Sequence, residues 1–513
     1  MKLRVVLVKP SKYDESGYVE RFRLGYLPNS TLNHIRSMTP TAIDGVEITT
    51  CCIDEYVHCE TKYLELLRGS VQDPTLVAIV GTQSHQFHRA ADLAAYARAN
   101  GCMAVIGGPH PMTCDTTEFQ NRGISFAVAE AETIWHTILQ DAVSGELQPV
   151  YGAEHRWATE LDPPVLVPPG RSELKRYLSK MMGVYPVRGC PFTCNFCSVI
   201  KIAGRSLRSQ PIETTMATLR RAKAAGIKTI IFTSDNFNKY PEAPALLRAM
   251  ADEKLNLQFF CQCDAQIADE EELMSLMAKA NCWQIFVGVE SFNRQTLLSA
   301  HKGHNHPEKY GKIVEMCREY RISSHLSNII GFWDDVEESI LEHVSTLSKI
   351  GPTIASFYIL CPIPGTQQYA DFLSRGLITE SNLDRFDTTT PTWRHPTLTW
   401  GDLHRLFKTC YQRFYTLKHL ANNIRYLKPR PGVAASEYSF LIKTSAFARY
   451  SAFRGVHPFS GGMGKVRRDH VRQFLGLRER TYGRSLFPLP LNLELSHADE
   501  ALNRNAKLVR ISL

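Results

Sequence analysis

Tyr185-Pro186-Val187-Arg188-Gly189-Cys190-Pro191-Phe192-Thr193-Cys194-Asn195-Phe196-Cys197 sets three cysteines at the spacing C-x3-C-x2-C, directly after the apolar run Val184–Val187. The run reads as a short strand, and the glycine, prolines and asparagine around the cysteines describe a loop. Three thiolates on one tight loop can hold three irons of a four-iron, four-sulfur cluster. The fourth iron is then open to a small molecule carrying an amine and a carboxylate. Structural zinc would want four closed ligands, usually as two cysteine or histidine pairs. No partner pair is present, since Cys261 and Cys263 are one residue apart in a strand-like run. A disulfide framework does not suit a long chain without a secretion signal.

The spacing, with Phe196 just before the last cysteine, resembles the radical S-adenosylmethionine enzymes. The resemblance implies that Cys190, Cys194 and Cys197 are both the metal ligands and the catalytic residues. The reduced cluster would cleave S-adenosylmethionine at the open iron.

With 513 residues the chain is expected to form two to four domains, each able to bury a core. Hydrophobic content of 44% and charged content of 21% describe a globular protein. Val5-Val6-Leu7-Val8 is too short for a signal peptide and stops at Lys9-Pro10. No stretch approaches the roughly 20 apolar residues that span a bilayer. A cytoplasmic location with reduced cysteines is therefore expected. The net charge of +8 is spread along the chain and gives no argument for a nucleic-acid partner.

Residues 1–150 alternate strands (3–8, 46–53, 76–81, 103–106, 125–129) with amphipathic runs at 90–99 and 131–139. Such alternation predicts a doubly wound parallel sheet with ligands beyond the strand C-termini. The loops there are Lys9–Tyr13, Thr82–His85, Gly107–Pro111 and Ala129–Glu132. Paired glycines at a strand end let a backbone or flat ligand come close. The Gly107-Gly108-Pro109-His110-Pro111 loop resembles that of the cobalamin-binding domain of cobalamin-dependent radical S-adenosylmethionine enzymes. This resemblance covers residues 1–150 and matches in domain order. It implies a cobalamin site formed by Ser11, Tyr13, Gln83, Ser84, Gly107, Gly108, His110 and Glu130. The D-x-H-x-x-G pattern that supplies cobalt with a histidine elsewhere is missing, so cobalt without a protein histidine below it is implied. Ala129-Glu130-Ala131-Glu132 stands where the family has G-E-G-E. His85 is expected to line the site, and His88 to face solvent at the helix start. The alternative is a flavodoxin-like nucleotide module, although no G-x-G-x-x-G follows the first strand.

Asp162-Pro163-Pro164 and Val167-Pro168-Pro169-Gly170 make residues 151–183 a linker. Alternation returns over 184–375, with strands at 229–233, 257–261, 284–289, 324–330 and 355–360 and a helix at 212–225. Together with the cysteine strand this predicts a partial (β/α)6 barrel, functional at its strand C-termini. The resemblance implies that Glu290, Ser327 and Asn328 hold S-adenosylmethionine, that backbone around Phe196 meets the adenine, and that Asp235, Asn236 and Ser291 lie close by. Ser, Asp and Asn there are also favoured helix caps. Cys361 could line a substrate cavity, or be a small buried hydrophobe like Cys51, Cys52 and Cys59. For Arg188, Arg205 and Lys302 solvated or ion-paired roles are expected.

Residues 376–513 are expected to be a mainly α accessory region. Leu403, Leu406, Phe407, Cys410, Phe414 and Leu417 recur at helical spacing, with Pro429 and Pro431 as the stop. Tyr438–Phe453 is aromatic and mildly basic, Gly461–Gly464 reads as a loop, and 466–479 as a basic helix. Taken together, the resemblance implies a cobalamin-dependent radical C-methyltransferase for a small molecule or lipid, with a reductant such as flavodoxin or ferredoxin. Its runner-up is a cyclase or ring-rearranging enzyme, and a non-catalytic cobalamin- and cluster-binding sensor is the alternative of another class. Peripheral membrane contact is open; a transmembrane segment is not expected.

Overall fold

Along Lys2–Lys9 the apolar side chains alternate between two cores: Val6 and Val8 pack on one face, Leu3, Val5 and Leu7 on the other. A strand apolar on both faces has to be covered on both, as in doubly wound sheets. It is the third strand of a seven-stranded sheet ordered Ala42–Ile43, Val46–Asp54, Lys2–Lys9, Thr75–Ile79, Met103–Gly107, Ser125–Ala127, Val150–Tyr151. All pairings are parallel except the edge pair Ala42–Ile43 with Val46–Asp54. The computed structural model describes residues 2–58, 61–72, 74–426, 445–446, 448–450 and 461–506.

A second, six-stranded parallel sheet is ordered Ile354–Ile359, Ser323–Ile330, Cys282–Glu290, Gln258–Cys263, Thr229–Phe232, Met181–Val184. Its helix-side core includes Phe232, Cys261, Ile285, Val287, Leu326 and Phe357. The sheet begins inside the stretch expected to be linker. Pro186 cannot donate to a ladder, so 184–187 is not one strand. Val187–Arg188 instead pairs with Arg208–Ser209. Helix Trp400–Phe414, capped by Thr399, buries Leu403, Leu406, Phe407, Cys410 and Phe414. Tyr411 and Tyr415 turn their hydroxyls onto the peptide groups of Phe357 and Ala355, which covers the edge strand.

The C-terminal region departs from expectation in three places. The predicted long helix breaks at Tyr415-Thr416 and resumes as Leu417–Tyr426. Pro429, Pro431 and Cys59 lie outside the described residues, as does most of Tyr438–Phe453. Gly462–His470 is a strand, paired antiparallel with Tyr18–Gly25, and the helix starts only at Arg472. Beneath this ribbon Arg21 and Arg89 both grip the fully buried carboxylate of Glu55, while Arg478 pairs with Asp92. These charges tie the end of the chain to the first sheet.

Candidate functional site

The cysteine loop is held at both ends. Gly189 takes φ +97, and a Cβ there would sit 2.2 Å from the Ser206 carbonyl oxygen, so this turn requires glycine. Its N–H donates to Asp235 Oδ2 at 2.8 Å. Arg205 donates to the Pro191 carbonyl at 2.8 Å and to the Asn503 carbonyl at 2.8 Å. Further along, Asn195 N–H donates to Ala300 and its carbonyl accepts from Gln368. Asp235 therefore braces the loop and does not cap a helix.

Burial pushes the Cys190 thiol up to about 11 and that of Cys197 up to about 12, and raises Cys194 as well. The Lys302 ammonium pulls Cys194 and Cys197 back toward thiolate, and the Cys190 and Cys197 thiols both lie in the field of Cys194. Among the described residues no three His, Cys, Asp or Glu side chains close on a single metal ion. Three half-buried to buried thiols on one loop, mutually coupled but not converging on one point, fit the wider span of an iron–sulfur cluster. Asn236 Nδ2 lies 3.9 Å from Cys190 Sγ and 2.8 Å from Asp264 Oδ2.

Beside the loop, Glu290 ends its strand at a bulge with φ +63, an uncommon conformation for a residue with a long side chain. Its carboxylate accepts from Lys302 Nζ at 2.8 Å. Burial works against the Lys302 charge, but Glu290 overcomes it and holds the ammonium above its ordinary range. Lys302 Nζ is also 5.7 Å from the Phe196 ring centre. A Cβ on Gly288 would approach Glu290 Oε1 to 2.5 Å, so Gly288 leaves the carboxylate its place.

Between the C-terminal ends of the two sheets lies a cavity of about 710 Å³. That is toward the upper end of ligand pockets, about 300–1,000 Å³. The first sheet contributes Lys9, Lys12, Gln83, Ser84, Gly107, Gly108 and Glu130; the second contributes Arg188, Thr233 and Asp235. Gly108 has φ +131, and a Cβ there would lie 2.2 Å from Thr82 N. Glycine is thus what lets two loops of the cavity wall touch. Burial brings Lys9 down to about 7, partly offset by Asp54. Glu130 is gripped by Arg208 at 2.5 and 2.8 Å, and Lys12 pairs with Asp387. Size, the glycine-lined floor and polar loops at the strand ends fit cobalamin.

Other expected residues fall elsewhere. Ser11 is fully buried, donating its hydroxyl to the Glu20 carbonyl and its N–H to Glu55. Tyr13 points into the ion network, its hydroxyl on Asp92 at 2.5 Å and Arg89 at 3.2 Å. His110 stacks on Phe87 at 4.0 Å, its Nδ1 3.1 Å from Ser84 Oγ, and burial drives it down to about 3. None of the three lines the cavity. Ser327 is on the inner face of the second sheet, whereas Asn328 faces the helices; there it accepts from His343 Nε2 at 2.8 Å and donates to Leu326 and Ser356 carbonyls. Strand alternation puts neighbours on opposite faces, so both could not serve one ligand. Ser291 accepts from Asn293 N–H and shapes a turn. His88 is buried, not solvent-facing, 3.3 Å from Asp384. His85 does line the cavity, and Cys361 is a buried thiol accepting from Thr392.

Asp54, Tyr177 and Asp387 line the cavity without having been anticipated, and Lys9 and Lys12 line it from a loop expected there, in place of its Ser11 and Tyr13. Lys9 carried a signal, being a charged residue at the end of an otherwise apolar central strand. Asp387 carried none, since its partner Lys12 is remote in sequence.

The radical SAM superfamily matches residues 184–347. Bacteriochlorophyllide d C-12(1)-methyltransferase of Chlorobaculum tepidum is 27% identical over 57% of this chain and 64% of its own length. Thus the chain spans just under two thirds of that relative. The C-8(2)-methyltransferase of the same organism is 26% identical over 65% of this chain and 75% of its own. Among solved structures, the radical S-adenosylmethionine methyltransferase TsrM of Kitasatospora setae, with cobalamin and a [4Fe-4S] cluster bound, superposes with a TM-score of 0.61 at 16% identity. It covers 80% of this chain and 91% of its own.

Proposed function

We propose that this chain, which belongs to the cobalamin-dependent radical S-adenosylmethionine enzymes, methylates an unactivated carbon of a small-molecule or lipid substrate. One observation carries the reading: Arg188 and Asp235, which flank or brace the cysteine loop, also line the large cavity. The thiol loop and the cavity are therefore parts of one site.

When bound, the cluster, S-adenosylmethionine and cobalamin supply the electron, the hydrogen-abstracting radical and the methyl group, chemistry no side chain offers. The protein's part is to hold and orient. Cys190, Cys194 and Cys197 would provide three thiolate ligands to a four-iron cluster, and the sulfonium compound's amine and carboxylate would be bound beside them. Lys302 favours the thiolate form of two of them. Glu290, left with one oxygen beyond its Lys302 bond, is suited to receive an ammonium or hydroxyl at the loop. Gln83, Ser84, Gly107, Gly108 and Glu130, which line the cavity, would form the floor for cobalamin. A flavodoxin- or ferredoxin-type donor supplies the electron. The relatives named for bacteriochlorophyllide d support a substrate with an extended apolar body.

The test is anaerobic turnover in cell extract with methyl-deuterated S-adenosylmethionine, followed by mass spectrometry. Methylation requires S-adenosylhomocysteine together with 5′-deoxyadenosine, and a labelled product. 5′-Deoxyadenosine alone would favour cyclisation or rearrangement. Neither product from cluster-loaded protein would favour a sensor.

A further inference from the structure

Helix Leu417–Tyr426 is amphipathic in the reverse of the usual sense. Its inward side is polar: His419 Nε2 meets the Pro352 carbonyl at 2.9 Å, and the buried Asn423 donates to the Thr353 carbonyl at 2.9 Å. Its outward side is apolar. Leu417 is 84% exposed and Ile424 44%, with Ala421 exposed and Leu420 half-buried between them. Positions 417, 420, 421 and 424 form a single stripe on a 3.6-residue helix. A surface helix normally turns such a stripe to the core, so a stripe facing out marks an interaction surface.

Charge says what covers it. Lys418 and Arg425 flank the stripe on one side, and neither has a carboxylate partner among the described residues. Between Asp402 and Glu437 the chain holds seven lysines and arginines and no acidic residue. An apolar stripe edged by cations, on a helix that itself carries no acidic residue, suits an interface where hydrocarbon lies beneath anionic headgroups. A protein partner would have to present an apolar patch ringed by acids, a narrower requirement. At ten residues the helix is too short to cross a bilayer, and no helix among the described residues is long and apolar enough to do so. The helix sits on the Gly351–Thr353 turn that precedes the strand Ile354–Ile359, at the N-terminal end of the second sheet. The cavity, at the opposite strand ends, stays clear of it.

We propose that Leu417–Tyr426 docks the protein on an anionic lipid surface, with Leu417, Leu420, Ala421 and Ile424 entering the headgroup boundary and Lys418 and Arg425 meeting lipid phosphates. This stands independently of the catalytic reading. The test is flotation of the full, cofactor-loaded chain with vesicles of phosphatidylcholine alone or mixed with phosphatidylglycerol. Flotation is expected with the mixed vesicles, to be weak with the neutral ones, and to be reversed by salt. Lys418→Gln and Arg425→Gln should each weaken binding about fivefold. Leu417→Glu with Ile424→Glu should abolish it without changing the melting curve, because both side chains are exposed. The proposal is overturned if the wild-type chain does not float, or if the glutamate variant floats unchanged. It is equally overturned if light scattering finds a dimer that the variant dissolves, since a second copy would then cover the stripe.

Discussion

Arg188 and Glu132 meet across the boundary between the two sheets as a bidentate ion pair, Nη2 to Oε1 at 2.5 Å and Nη1 to Oε2 at 2.9 Å. Arg188 stands two residues before Cys190, and Glu132 lies in the first turn of the helix Ala131–Ser144 after the fifth parallel strand of the first sheet. His34 Nε2 lies 2.7 Å from the same carboxylate, and Tyr185 packs under the guanidinium at 5.2 Å. The pair fixes how the thiol loop sits over the cavity.

Arg188→Met should therefore destabilise strongly, by about 3–5 kcal/mol, because it strands a buried carboxylate. Adding Glu132→Leu should recover much of the loss, since an apolar pair leaves no charge unpaired. Thermal unfolding of the two single variants and the double variant measures the coupling.

Acid should act on a second buried pair. Arg89 and Arg21 outweigh burial and hold Glu55 down to about 2. A carboxyl lowered on folding stabilises fully above its unfolded value, about 4.3, and loses that contribution as pH falls toward its folded one. Stability should drop between about pH 4.5 and 2, by on the order of 3 kcal/mol from this group. Glu55→Gln should be less stable at pH 7 and show a shallower acid slope in denaturant midpoints.

How much of this was legible in the sequence varies with the range of the interaction. The cysteine loop was, because three cysteines within eight residues are a local pattern. So were the central strands, whose apolar runs declare burial on two faces. The ribbon of Tyr18–Gly25 with Gly462–His470 was not. Its buried side chains include Arg21 and Glu20, whose charges are paid for by partners far along the chain. Asn328 was misjudged by a single residue of strand parity, and the bulge at Gly288–Glu290 gives local sequence no marker. His88 reads as solvent-facing until Asp384 and Phe487, from the C-terminal part, close over it.

Lys302→Met should make Cys194 and Cys197 of the loop poorer thiolates. Its ammonium lowers Cys194 and Cys197, so its loss should move their ionisation to higher pH. The rate of iodoacetamide alkylation of cluster-free protein against pH should shift upward for those two cysteines, and much less for Cys190.

Gly108→Ala should damage the cavity floor. The backbone there is left-handed, and the new methyl would meet Thr82 N at 2.2 Å, so the loops must part. After cobalamin loading and desalting, the variant should retain far less corrin absorbance than wild type while keeping its iron. Equal retention would place the cofactor elsewhere.

The most direct test of the central claim is iron and sulfide analysis of anaerobically reconstituted protein, with electron paramagnetic resonance of the reduced state. About four irons and four sulfides per chain, and a reduced-cluster signal perturbed by S-adenosylmethionine, are predicted. The signal should vanish in Cys194→Ala. Wild-type protein that holds no iron–sulfide, or a cluster signal indifferent to both S-adenosylmethionine and Cys194→Ala, would contradict the account.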